Sequence, residues 1–494
     1  MQIIYQTLPL SVVAADWLVI GIWEDEPLVG VSAELDAKLG GMLTKLREQG
    51  DAVGKARELT PLYQVTGIAA RRILVMGLGA RGKSDFASLL CCAAASGRML
   101  STRKARQIAV ALPDASPMDA DAVLRAVVAG FFQGSSTAGL RKSENERTPP
   151  AELVILGTSP ETSLLESVRR AEIEGRCTNL ARELVNLPPC DLYPETFAER
   201  ARDIAVRTGL ELQILDEQKL VVERMNSLLA VARGSERPPR VVLLKHALGG
   251  SRPTLAFVGK GVTFDSGGLS LKTTDQMVDM KCDMAGAAAV LGAMQAIAEL
   301  RLPVNVLGVM ALVENMPSGK AMKLGDVLKA RNGKTIEVLN TDAEGRLILA
   351  DALAYAVDQK ASHLVDLATL TGACMVALGY DVAGLMSNSE TWSQKVLAAA
   401  AVSGEKAWPL PMFPHYREMI KSDVADIKNT GGSRYAGAIS AAKFLEEFVG
   451  ATPWVHLDIA GPSWAEKDSA LRDSGGTGCF VRTLVELARA YDAG

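Results

Sequence analysis

The sequence predicts an α/β protein made of two α/β domains, the larger C-terminal one a mostly parallel central sheet covered by helices on both faces. Three observations predict this. At 494 residues the chain exceeds the roughly 250 to 300 residues at which a single core stops growing. Short apolar strands alternate with Ala-rich helical stretches along its length. The strands of the C-terminal part are uninterrupted apolar runs, as a sheet buried on both faces requires.

The first domain is expected over residues 1–160, with strands RRILVMGLG and RQIAVALP and helices FASLLCCAAASGRML and DADAVLRAVVAGFF. The polar, Pro-containing stretch Gly134–Glu152 reads as a surface connection. A short strand, LVILG, and a helical pattern over Ser163–Leu184 follow, ending before Pro188 and Pro189. This helix, taken as 161–185, is expected to link the domains. The second domain, 186–494, carries the strands ELQILD, VVLLKH, TLAFVG, VNVLGVMALV, KTIEVLN, HLVDLATL and WVHLDIAG. Its expected helices include Ala285–Leu300, Leu347–Gln359, Ala436–Val449 and Thr477–Tyr491.

Composition narrows the function classes. Hydrophobic content of 48% and charged content of 22% describe an ordinary globular chain. A net charge of −4 with no basic domain gives no electrostatic footprint for nucleic acid. Seven cysteines without CxxC or paired spacing argue against a disulfide framework or a zinc knuckle. The N-terminus has no basic region, and Asp16 breaks its apolar run. The longest uncharged runs, such as Ala285–Ile297, fall well short of the ~20 residues that span a bilayer. A reducing cytoplasm, with no membrane attachment, is the expected compartment.

Ligands of open α/β sheets bind beyond the carboxyl ends of the strands. The Gly-rich segment Lys260–Lys272 follows TLAFVG, and Thr341–Leu347 follows KTIEVLN and leads into a helix. Asp283 sits at the expected start of the Ala285–Leu300 helix. Four carboxylates, Asp265, Asp283, Asp342 and Glu344, thus gather with Lys260, Lys272 and Arg346. Carboxylates sharing a pocket repel one another unless cations neutralise them, and two divalent metals do so in hydrolytic sites. With four histidines and no HExxH pair, any metal site must be built mainly from oxygen ligands. Each segment alone has a plainer reading: a DAE triplet before a helix is an N-terminal cap, and Lys260 with Asp265 a loop ion pair. Three such segments at strand ends favour a metal or phosphate site.

A competing motif lies in the first domain. Gly77–Ser84, GLGARGKS, matches the P-loop pattern, and its first six residues match GxGxxG, between a strand and a helical run. No apolar strand ending in a magnesium-binding Asp follows, and no acidic ribose partner stands about 20 residues on. A tight turn with an exposed Lys83 is therefore preferred, with nucleotide binding as the alternative. A DNA-binding regulatory role finds no support in the acidic balance.

NTDAEGRL, Asn340–Leu347, resembles the signature octapeptide of the leucine aminopeptidase family, the hexameric cytosolic aminopeptidases. VGKGVTFDSGGLSLK (Val258–Lys272), MKCDMAGAAAV (Met280–Val290), LATLTGA (Leu367–Ala373), VNLPPCDLYPETFA (Val185–Ala198) and HLDIAG (His456–Gly461) resemble that family too, across the C-terminal half. The resemblance implies a cytoplasmic, homohexameric two-metal aminopeptidase acting on peptides, with broad preference for apolar first residues such as leucine. It implies that Asp265 and Glu344 bridge two zinc or manganese ions, that Lys260, as a neutral amine, and Asp283 complete one site, and that Asp342 completes the other. Lys272 would polarise the scissile carbonyl, and Arg346 would hold a bicarbonate that acts as base toward a metal-bridging water. Thr369, Leu370 and Gly372 would bind the peptide backbone. Met280 would line the first side-chain pocket, although a core methionine fits that position nearly as well.

Overall fold

The computed structural model describes residues 1–158, 161–469 and 472–491; the side chains of 161–163 are outside the description. The chain forms two compact units, Met1–Asn179 with Lys467–Ser474, and Leu180–Glu466 with the segment from Gly475 onward.

The first unit is built on a six-stranded sheet in the order Gln2–Gln6, Glu152–Leu156, Gln107–Ala111, Trp17–Ile22, Arg72–Gly77 and Leu59–Tyr63. Every pair is parallel except the last, where Leu59–Tyr63 runs antiparallel along the edge. Apolar side chains leave both faces of these strands, so two cores form. One includes Phe131 and Leu89 of the helices Ala120–Ser135 and Phe86–Leu100, and the other Leu35 and Leu43 of Val31–Lys38 and Met42–Gln49. The late segment joins this unit through Asp473, which is paired with Arg98 and Arg147. Partial burial opposes its charge, but the two guanidiniums hold its carboxyl down at about 2.

The P-loop-like stretch is a capped turn. Arg81–Lys83 form one 3-10 turn, and the helix begins only at Phe86. Asp85 occupies its N-terminus, accepting from the Ser88 amide at 2.7 Å, while Ser88 Oγ accepts from the Asp85 amide at 2.8 Å. A capping carboxylate stands where a phosphate would need those amides, and Lys83 is exposed.

The second unit is built on an eight-stranded sheet. Its order is Ala407–Pro409, Ala383–Ser387, Trp454–Asp458, His363–Ala368, Thr254–Asp265, Asn305–Asn315, Arg240–Ala247 and Glu211–Leu215. The four strands from Trp454–Asp458 to Asn305–Asn315 are mutually parallel. The last two pairs, and the pair of Ala383–Ser387 with Trp454–Asp458, are antiparallel. Helices cover both faces. Successive strand residues point to opposite sides, and Gly259 abuts Ala287 of the helix Ala285–Leu300 while the Lys260 side chain abuts Gly345 of the helix Gly345–Asp358.

Two expectations shift here. TLAFVG does not end before the glycine-rich segment; the strand runs on to Asp265, so Lys260 is a buried strand residue rather than a loop residue. KTIEVLN contributes only Thr335–Glu337, in a separate three-stranded sheet with Val327–Lys329 and Ile427–Lys428. The reason is its alternation: Ile336 is buried while Thr335 and Glu337 are half-buried, the pattern of a one-sided strand. The helix read at Ser163–Leu184 spans Glu161–Asn186, and the division between units falls inside it. Among the described residues, no helix is long and apolar enough to cross a membrane.

The helix Ala285–Leu300 lies so close to the sheet that a Cβ on Gly286 would sit 2.1 Å from the Leu367 carbonyl oxygen. Gly286→Ala is therefore expected to destabilise the protein by roughly 1–3 kcal/mol through overpacking. Urea unfolding measures this; an unchanged midpoint would mean that the helix can move off the sheet at no cost.

Candidate metal centre

The parallel strands of the second unit end at one place, and the charged residues lie there. Lys260 projects from Thr254–Asp265 toward the first turn of Gly345–Asp358, where Gly345 leaves room: a Cβ there would come within 2.8 Å of Lys260 Nζ. The ammonium lies 2.7 Å from Asp283 Oδ1 and 2.9 Å from Glu344 Oε1, and donates to the Thr369 carbonyl at 2.8 Å. Lys260, Asp283 and Glu344 are all buried. Burial disfavours the Lys260 charge, but Asp283, Glu344 and Asp265 outweigh it and hold the pKa above the ordinary lysine value.

Asp265 ends the same strand. Its Oδ1 accepts from the Gly267 amide at 2.9 Å and from Asn315 Nδ2 at 2.8 Å, and its Oδ2 lies 2.8 Å from Lys272 Nζ. Lys272 also pairs with Asp342. Here too the carboxylates, Asp265 foremost, outweigh desolvation and raise the lysine pKa. The glycine-rich loop is fixed by Thr341, whose hydroxyl donates to the Gly267 carbonyl at 2.6 Å and accepts from the Ser270 amide at 2.8 Å. Asn315 Nδ2 also donates to the Thr341 carbonyl, at 3.0 Å.

The donor set fits divalent metal. Four carboxylates face two ammonium groups, so with every group ionised two negative charges would lack a counter-charge in a largely buried place. Asp265, Asp342 and Glu344 each offer an oxygen within 4.8 Å of the others. Two further buried oxygens, Asp283 Oδ2 and Glu344 Oε2, have no hydrogen-bond partner among the described residues. Desolvation raises the pKa of Asp283, Glu344 and Asp342, which is the cost of gathering these groups without enough positive charge.

Arg346 lies in the first turn of the helix Gly345–Asp358, buried, with Nη1 donating to the Asn429 carbonyl at 2.9 Å. Its Nε is buried without a partner among the described residues. Burial lowers its pKa to about 10, against the pull of Glu344 and Asp458.

The structure brings Lys260, Asp265, Lys272, Asp283, Asp342, Glu344 and Thr369 into one network. The Thr369 hydroxyl is committed to Asp283 Oδ1 at 2.7 Å. The Leu370 amide donates to Asp458 Oδ1 at 3.2 Å, and Gly372 opens a helix capped by Thr371. Met280 is half-buried on the 3-10 turn that leads to Asp283. Three supporting residues were not singled out by the sequence reading. Asn315 had a signal, as a polar residue closing an apolar strand. Asp458 lay inside a quoted motif without a role. Asn429, which accepts from the Leu339 amide at 2.8 Å and donates to the Asn340 carbonyl at 2.7 Å, had none.

Buried carboxylates and lysines at the strand ends of an α/β sheet fit a divalent-metal site of the kind that hydrolytic enzymes use. The family model described as "Cytosol aminopeptidase family, catalytic domain" matches residues 179–485, and that family's N-terminal domain model matches 19–145. A probable cytosol aminopeptidase of Rhodopirellula baltica is 48% identical over 454 residues, 92% of this chain and 88% of that protein. One of Solibacter usitatus is 43% identical, covering 100% of both. Among solved structures, a tomato leucine aminopeptidase mutant has a TM-score of 0.89 at 37% identity, covering 99% of this chain and 97% of that one. The bottromycin maturation enzyme BotP in complex with Mn has a TM-score of 0.84 at 37% identity, covering 97% of this chain and 99% of that one. The chain belongs to the cytosol aminopeptidase family. It is a metal-dependent aminopeptidase.

Metal that binds the folded carboxylate cluster and not the unfolded chain must stabilise the fold. Dialysis against a chelator is expected to lower the melting temperature, and added Mn²⁺ to restore it. Identical melting curves with and without metal would remove the cluster as a metal centre.

Proposed function

We propose that the protein removes N-terminal residues from peptides, with broad preference for apolar residues such as leucine, at a centre of two divalent ions. The observation that carries this is the set of buried carboxylates at the strand ends, two of whose oxygens lack any partner among the described residues. Asp265 and Glu344 would touch both ions, Lys260 and Asp283 one, and Asp342 the other. The mixed oxygen and amine donors suit zinc or manganese, and the manganese complex of the related BotP supports the latter. Bound there, the two cations supply the Lewis acidity that acidifies a water and polarises a carbonyl.

The chain's own residues do the rest. A lysine ligand is neutral, so Lys260 would hold a cation as the free amine, its proton having passed to solvent. Lys272 would keep its charge and donate to the scissile carbonyl oxygen, stabilising the negative charge that develops on it. Thr369, Leu370 and Gly372 would hold the peptide backbone, and Met280 would line the pocket of the first side chain. Arg346 presents a planar donor fork whose Nε has no partner among the described residues, which fits a planar oxyanion such as bicarbonate. Bicarbonate held there would supply a general base.

The working division is an N-terminal domain over 1–160, a linking helix over 161–185 and a catalytic domain over 186–494. The assembly is taken as a homohexamer in the cytoplasm, as the family resemblance implies.

Asp265→Ala is expected to abolish hydrolysis of an aminoacyl p-nitroanilide and to drop metal content well below two per chain. A variant that keeps two tightly bound ions removes Asp265 from the ligand set. Arg346→Ala is expected to lower kcat roughly 10²- to 10⁴-fold while both ions stay bound, and to respond weakly to bicarbonate that restores the wild type in carbonate-free buffer. Full activity in that variant would show that the anion is not the base, and loss of both ions that Arg346 is structural.

A further inference from the structure

Asp458 is a fully buried carboxylate to which the proposed mechanism gives no part. It ends the strand Trp454–Asp458, level with Ala368, the last residue of the neighbouring parallel strand. The chain runs on from Ala368 into Thr369–Gly372. Oδ1 of Asp458 accepts from the amides of Leu370 at 3.2 Å, Thr371 at 3.4 Å and Ala460 at 3.2 Å, and Oδ2 from the Thr371 hydroxyl at 2.6 Å. Helix capping does not account for this. Thr371 caps the helix Gly372–Leu378 itself, its hydroxyl oxygen accepting from the Cys374 amide at 3.1 Å.

A trans peptide unit points its N–H and its C=O in opposite directions. With the Leu370 amide on Asp458, the Thr369 carbonyl of the same unit faces the other way, and there it accepts from Lys260 Nζ at 2.8 Å. The Thr371 amide sits on the same Asp458 oxygen, so the Leu370 carbonyl is turned away from Asp458 as well, to the side of Lys260. That carbonyl has no partner among the described residues. Two successive carbonyls thus leave toward the metal centre, one occupied by Lys260 and one open. We infer that Asp458 is a positioning residue for the peptide: it fixes both peptide units and so aims the Leu370 carbonyl to accept a main-chain N–H of the substrate. The inference rests on the reading of Thr369, Leu370 and Gly372 as the segment that holds the peptide backbone.

Steady-state kinetics of the metal-loaded, full-length protein on the tripeptide Leu-Gly-Gly test it. Asp458→Asn keeps the size and one acceptor oxygen but removes the charge, and charge-assisted hydrogen bonds are roughly twice as strong as neutral ones. KM is expected to rise about tenfold or more while kcat stays within about threefold, a split that general loss of structure would not produce. Both ions should remain bound, because Lys260 keeps Asp283 and Glu344. Thr371→Val, which removes the hydroxyl that anchors Oδ2, is expected to raise the same KM by a smaller factor, and it decides the matter if Asp458→Asn does not fold. An unchanged KM in the folded variant, a fall in kcat at unchanged KM, or loss of the ions overturns the inference. If the wild type leaves Leu-Gly-Gly uncleaved, the reading of the segment falls with it; if the wild type cleaves and the variants match it, the role of Asp458 falls alone.

Discussion

Lys260 is the residue on which the rest of the catalytic unit depends. Its strand is mostly apolar, and a lone ammonium buried there would be prohibitively unfavourable. Asp283 and Glu344 offset that penalty, and Lys260 in turn offsets part of the cost of burying them. The three residues come from a strand, the turn before one helix and the start of another. One electrostatic requirement thus fixes how two helices meet the sheet.

That meeting needs room, and the sequence supplies it by leaving side chains out. Gly345 lets the Lys260 stem pass beneath the first turn of its helix, and Gly286 lets the opposite helix approach the Leu367 carbonyl. The Ala-rich composition of MAGAAAV serves the same end. What resembles a weakly specified, small-residue segment is the part of the fold with the least freedom to change.

Much of this was legible in the sequence because it rested on local pattern. The helix Phe86–Leu100 has the span that its apolar stretch marked, and the acidic residues stood out against apolar strands. What was not legible depended on distant partners. KTIEVLN reads as a strand, but its alternation does not say which sheet it joins. The end of TLAFVG was misplaced because Lys260 interrupts an apolar run, and a charge is ordinarily a strand's limit unless other elements neutralise it. Asn429 is 89 residues from Asn340, and nothing near it announces that it anchors that loop. Trp17–Ile22 is a central strand of the first sheet, although the opening residues were weighed only as a leader sequence.

The Lys467–Ser474 segment gives the chain an order of assembly. Asp473 is a structural part of the first unit, yet it follows Arg147 by 326 residues along the chain. While the chain is being made, Arg98 and Arg147 wait without that counter-charge as more than three hundred further residues emerge. The first unit can collapse early, but its final closure waits until the segment Lys467–Ser474 has been made. The first unit is in this way completed by a stretch of polypeptide made after most of the second.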